Sequence, residues 1–307
     1  MLFLLSALLT ACSTATDYQK PITAFSQATD GAKQALAALD ERLAEQLQAL
    51  RRAEAIASPN RVRFPDDECA TSTAGCTLLL YPESGDAKPR PLTYTTAVPN
   101  QILVMHEVSL YAKGLQDITT ADATPGIKAG FDTAMAAATS LASILQPQFA
   151  PAVSALSVPV TQAAVWLFGE YQESVKLRAL RAATAAMDPI LQEAVRTFAK
   201  TSEFAALEDQ QILVGRFDSR MEAFENAPSE QTLAQLADAA MQLDRLLAVR
   251  PDQMFEELGL AHRALAEALA SDEITFAQAL VHIERLATKA EELTLIAESF
   301  KAAVASQ

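Results

Sequence analysis

Apolar residues recur along this chain mostly at spacings of three and four. Between Ala32 and Leu50 they fall at Ala32, Leu36, Leu39, Leu43, Leu47 and Leu50, while Asp40, Glu41, Arg42, Glu45 and Gln48 take the other positions. Such spacing returns to one face of a 3.6-residue helix at each step, so the segment is predicted to be an amphipathic helix. A second helix is expected after Asn100, with Val104, Val108, Tyr111, Leu115 and Ile118 on one side. Thr124-Pro125 supplies an N-cap and a first-turn proline for a third. Asp188-Pro189 repeats that start signal and predicts a helix to about Asn226, with Ile190, Ala194, Phe198, Phe217, Met221 and Phe224 as core contacts. Pro228-Ser229-Glu230 opens the next, and Arg250-Pro251 interrupts it. Ser271-Asp272-Glu273-Ile274 is expected to cap the last, which continues through Leu280, Ile283, Leu286, Leu293, Ile296 and Phe300. No fixed-length unit recurs, which disfavours a solenoid, and the short connections favour antiparallel neighbours. The expected fold class is all-α, an elongated antiparallel helical bundle of coiled-coil character over residues 30–307.

The period changes in one place. Arg61-Val62-Arg63-Phe64, Thr77-Leu78-Leu79-Leu80-Tyr81 and Leu92-Thr93-Tyr94-Thr95-Thr96 are short β-prone runs, separated by Pro65, by Pro82-Glu83-Ser84-Gly85-Asp86 and by Pro89 and Pro91. They predict a small β-hairpin inserted between helices over residues 61–97. Such a projection serves either as a recognition element or as a mere connector.

Charge is absent from one long stretch. No Asp, Glu, Lys, Arg or His occurs from Thr133 to Gly169. Gln146-Pro147-Gln148-Phe149-Ala150-Pro151 and then Pro159 divide it into an Ala-rich helix up to Gln146 and a second one near Val160, Ala164, Val165, Leu167 and Phe168. A helix that is apolar all round belongs in a core. The alternative is a hairpin that leaves the bundle and enters a bilayer, broadly similar to the hydrophobic heads of helical pore-forming toxins. Neither half offers the roughly 18 unbroken apolar residues of a spanning helix, and Ser140, Ser143, Gln146, Gln148 and Gln162 are spread through it.

The first residues, Met1-Leu2-Phe3-Leu4-Leu5-Ser6-Ala7-Leu8-Leu9-Thr10-Ala11-Cys12, form an apolar run that ends in small residues and a cysteine. The run is too short to span a membrane, which takes roughly 20 apolar residues. It resembles a bacterial lipoprotein signal peptide, with Leu9-Thr10-Ala11-Cys12 as the lipobox, although no Lys or Arg precedes the apolar run. The resemblance implies that residues 1–11 are a signal peptide and that Cys12 is acylated after cleavage; the alternative is an ordinary buried cysteine on a short N-terminal helix. Residues 12–29 are then expected to be the lipidated cysteine and a linker. Ser13, not Asp, follows the cysteine, which in lipoproteins of this type implies an outer-membrane address facing the periplasm. Several acyl chains, palmitate among them, would supply the attachment, at about 0.8 kcal/mol per buried methylene.

With Cys12 assigned to lipid, Cys69 and Cys76 remain as an even pair in a compartment that tolerates disulfides. A bridge between them is expected to staple the hairpin. A zinc pair is the alternative, but no second Cys or His pair lies at metal-ligand spacing.

The net charge of −14 argues against nucleic acid as a partner, because a phosphate backbone requires a basic surface. Scarce glycine and no strand-helix alternation disfavour nucleotide-binding α/β folds. His106-Glu107 and His282-Ile283-Glu284 do not extend to a His-Glu-x-x-His zinc helix. No Gly-x-Ser-x-Gly elbow or Glu-x-x-His pair is present. Phe255, Leu258, His262, Leu265 and Leu269 place one imidazole on an apolar seam, where a lone histidine is usually a hydrogen-bonded core residue. Trp166, the only tryptophan, reads as packing. The expectation is therefore a non-catalytic, lipid-anchored binding or scaffolding protein with no cofactor and no metal. Its partners would be the membrane, through the lipid, and an unidentified protein or a second copy. A membrane-active protein inserting residues 133–169 is the alternative.

Overall fold

The computed structural model describes residues 18–64, 78–82, 89–92, 99–145, 172–248, 250–271 and 275–305. Its α-helices are α1 (Gln19–Ala57), α2 (Pro99–Thr120), α3 (Thr124–Leu145), α4 (Gln172–Asn226), α5 (Glu230–Ala248), α6 (Pro251–Ala270) and α7 (Ala277–Ala305). None of them is long and apolar enough to cross a membrane. The chain is mostly helical, and it divides into two compact units. The first takes in residues up to Leu36, Asn100–Glu203 and Arg250–Leu293, and the second takes in the remainder. Cys12, Cys69, Cys76, Trp166 and residues 146–169 lie outside the described residues, and so does the expected disulfide.

In the first unit the apolar stripes are buried as their spacing predicts. Val104, Val108, Tyr111, Leu115 and Ile118 of α2 have no exposed surface, and neither do Phe255, Leu258, His262, Leu265 and Leu269 of α6. α1 starts earlier than expected, since residues 19–29, read as linker, are helical and bury Ile22, Phe25, Ala28 and Thr29. Ala and Thr there dilute the apolar pattern without breaking the stripe.

The start of α4 also departs from the expectation. Asp188-Pro189 opens nothing, for the helix begins at Gln172 and runs through Pro189. A proline inside a helix removes the hydrogen bond to the carbonyl four residues back. Here that carbonyl belongs to Ala185, and both Ala185 and Pro189 lie on the exposed face, where water can take the place of the lost donor. Ile190, Ala194 and Phe198 are buried, whereas Phe217, Met221 and Phe224 are only partly covered. The last helix likewise starts at Ala277, and Ser271 closes α6 by donating its N–H to the Glu267 carbonyl.

α2 and α3 run antiparallel at very close approach. A β-carbon on Gly114 would stand 2.6 Å from the Ala134 backbone nitrogen, and one on Gly130 would stand 2.8 Å from that of Ile118. Glycine is thus required by backbone meeting backbone. Gly31, by contrast, has nothing within 4 Å of such an atom. Gly114→Ala is expected to lower stability by about 1–3 kcal/mol, since overpacking against backbone outweighs the helix-propensity gain of about 1 kcal/mol. Gly31→Ala is expected to raise it by up to about 1 kcal/mol. Denaturant midpoints of the two variants, moving in opposite directions, check both.

In the second unit, three two-residue strands replace the expected hairpin: β1 (Val62–Arg63), β2 (Leu79–Leu80) and β3 (Arg90–Pro91), antiparallel in the order β1-β2-β3. The third strand comes earlier than the expected run beginning at Leu92, and Pro91 is accommodated because β3 is an edge strand. Side chains strap this sheet to α1. Glu54 pairs with Arg61 at 2.9 Å and Arg90 at 3.4 Å, and Arg51 donates to the Pro91 carbonyl at 2.7 Å. Arg63 covers the Tyr81 ring, 4.2 Å from its centroid, and Leu80 is buried. At the start of α5, Ser229 caps the helix as its sequence suggests, its Oγ accepting the Thr232 N–H at 3.1 Å.

Candidate functional site

The polar centre of the first unit is built from three helices whose surroundings are apolar. α6 carries His262 into the core, α2 brings Tyr111, and α4 brings Asp188. Tyr111 Oη lies 3.0 Å from His262 Nε2, and His262 Nδ1 lies 3.2 Å from Asp188 Oδ1. An ionised carboxylate only accepts, so His262 Nδ1–H donates to Asp188, while Nε2 is hydrogen-bonded to the Tyr111 hydroxyl. Gln192, one turn after Asp188, donates through Nε2 to Asp188 Oδ1 at 3.2 Å and to the Gly259 carbonyl at 3.0 Å. Phe25 from α1 closes the apolar wall, its ring centroid 6.1 Å from that of His262.

Electrostatics follow from these contacts. The His262 hydrogen bond, helped by the Gln192 amide and by the charge of Arg263, holds the Asp188 carboxyl below the usual carboxylate range against the opposing effect of burial. Burial, reinforced by the Asp188 charge, raises the Tyr111 phenol well above its ordinary value, so it stays protonated. His262 and Tyr111 have no exposed surface, whereas the Asp188 side chain is 29% exposed. A substrate has no direct approach to the ring or the phenol. The arrangement is suited to pinning three helices in one register, since each polar group has a partner and losing any partner is costly in a low-dielectric core.

The other residues singled out in the sequence are scattered. His106 is exposed on α2. His282 on α7 meets Glu257 on α6, Nδ1 to Oε2 at 2.8 Å, with Arg285 at 3.8 Å from the same carboxylate. Among the described residues no group of three or more His, Cys, Asp or Glu is placed to hold a metal. An open polar groove of about 530 Å³ runs between α1 and α2, lined by Ser26, Asp30, Ser109 and Lys113 among others. Asp30 there is held below the ordinary carboxylate range, chiefly by Lys33, and accepts from Ser109.

Sequence reasoning found His262 and missed its partners. Tyr111 was legible only as an apolar-face position, and Asp188 was read as an N-cap because proline follows it. The available signal was that a histidine in a seam needs two partners, which a buried tyrosine and an acid inside a helix can supply. Comparison of the chain with protein-family models, with curated proteins and with solved structures finds no match.

Proposed function

We propose that this chain is a lipid-anchored helical binding or scaffolding protein of the bacterial envelope, tethered through Cys12 at the outer membrane and facing the periplasm. The observation that carries the reading is Leu9-Thr10-Ala11-Cys12 at the end of an apolar leader, followed by a polar stretch. The helical body supports a non-catalytic role, because the enclosed cluster of Tyr111, His262 and Asp188 joins three helices and, among the described residues, its ring and phenol have no exposed surface. Protein recognition is assigned to its exposed surfaces, including the polar groove on α1 and α2 and the sheet on α1.

Cys12→Ser is expected to move the protein from the membrane pellet to the soluble fraction, and mass spectrometry of the wild type is expected to find an acylated N-terminal cysteine. A Cys12→Ser protein that stays in the pellet after a salt wash overturns the anchor. The second reading is a membrane-active protein that inserts the uncharged stretch 133–169. Its described part, residues 133–145, favours the core role instead, as Ala134, Ala138, Leu141 and Ala142 have no exposed surface.

A further inference from the structure

We propose that the end of the first unit where α1 begins rests on the phospholipid headgroup layer; this rests on the lipoprotein reading above and adds an orientation to it. Tyr18, the residue before α1, is 3% exposed, and its hydroxyl bonds the Glu173 carboxylate at the start of α4. One turn on, Lys176 pairs with Glu173 at 3.2 Å and donates to the Thr119 carbonyl at the end of α2 at 3.1 Å. α3 begins just beyond, where a β-carbon on Gly126 would stand 3.1 Å from that of Ala121. The start of α1, the end of α2 and the starts of α3 and α4 therefore meet at one end of this unit.

Five residues, Ser13 to Asp17, separate Cys12 from Tyr18. At up to about 3.6 Å per residue over six steps, they hold the Tyr18 α-carbon within about 22 Å of that of Cys12 in any conformation. Tyr18 is built into the fold, so this short tether confines the whole end of the unit and not a loose tail. Acyl chains in the hydrocarbon place Cys12 at the headgroups. Charge agrees with that placement. The chain carries −14 overall and is repelled by anionic lipid, yet this end exposes Gln19, Lys20, Thr120, Asp122 and Ala123, one positive and one negative group among them. Glu173 and Lys176 offset each other, so apart from Asp17 in the tether little of the acidic excess belongs to this end.

The test uses the full acylated chain in vesicles of phosphatidylethanolamine and phosphatidylglycerol, with a photo-crosslinking benzophenone amino acid in place of Asp122 or of Leu103. Leu103 is 44% exposed and lies on α2 about 25 Å along the helix from Thr120. Lipid adducts are expected to be several-fold more abundant at 122 than at 103, and a long Gly-Ser spacer inserted after Ser13 is expected to abolish the difference. Equal yields at the two positions, an excess at 103, or a difference that survives the spacer overturns the orientation. The mass of the same sample separates the two levels. An acylated Cys12 with equal yields removes the orientation alone, and an unacylated Cys12 removes the anchor and the orientation together.

Discussion

His262→Ala is expected to destabilise the protein by about 4 kcal/mol, through a cavity where a ring stood and through Tyr111 and Asp188 groups left without their shared partner. The two contributions separate by substitution. His262→Phe refills the volume but still orphans Tyr111, so its expected cost is about 2 kcal/mol. Adding Tyr111→Phe to that variant removes the orphaned hydroxyl, and the double variant is expected to regain the share of the loss due to Tyr111, while Asp188 still lacks its imidazole partner. Urea denaturation of the wild type, His262→Phe, Tyr111→Phe and the double variant measures the coupling. Additive costs for the two substitutions would mean that the 3.0 Å contact between Tyr111 and His262 contributes nothing to stability.

Asp188 gives the same cluster a pH dependence whose sign is determined. Its carboxyl is held below the ordinary value, first by the His262 hydrogen bond. The stability it contributes is therefore fully present above the unfolded carboxyl's value of about 4, and is lost as pH falls through the lower folded value. Asp188→Asn is expected to be less stable than wild type near neutrality, with the gap closing as acid protonates the wild-type group. A gap unchanged down to the acid transition would show that the charge of Asp188 is not what His262 holds.

Much of this fold was readable from periodicity because burial here follows helical stripes. Val104, Val108, Tyr111, Leu115 and Ile118 were assigned to one side by spacing alone, and all are fully enclosed. What escaped was set by tertiary context. Pro189 carries a local start signal, but it and Ala185 lie on the exposed face, where an interior proline is tolerable, so α4 continues through it. The first turns of α1 are rich in Ala, Thr and Gln, whose burial depends on the neighbours they meet and not on their own hydrophobicity. Tyr111 and Asp188 lie 77 positions apart in sequence, and only the packing of α2, α4 and α6 brings both to one imidazole. Gly114 and Gly130 gave no signal either, for a glycine required by close backbone approach looks in sequence like any other.

Leu141→Asp is expected to lower stability by about 4–5 kcal/mol, because it removes a buried side chain and leaves a carboxyl that must be desolvated or neutralised. Leu141 has no exposed surface on α3. Ala136, in the same uncharged stretch, lies on the exposed face, so Ala136→Glu is expected to change stability by no more than about 0.5 kcal/mol. A bundle core distinguishes these two positions sharply, since one faces neighbours and the other water. A segment whose purpose is to enter a bilayer penalises both charges alike, in insertion and not in folding. Thermal unfolding and leakage of dye from vesicles, measured on the same two variants, therefore decide between the readings. If Leu141→Asp keeps wild-type stability while both variants lose leakage activity, the uncharged stretch works in the membrane and the scaffolding proposal gives way.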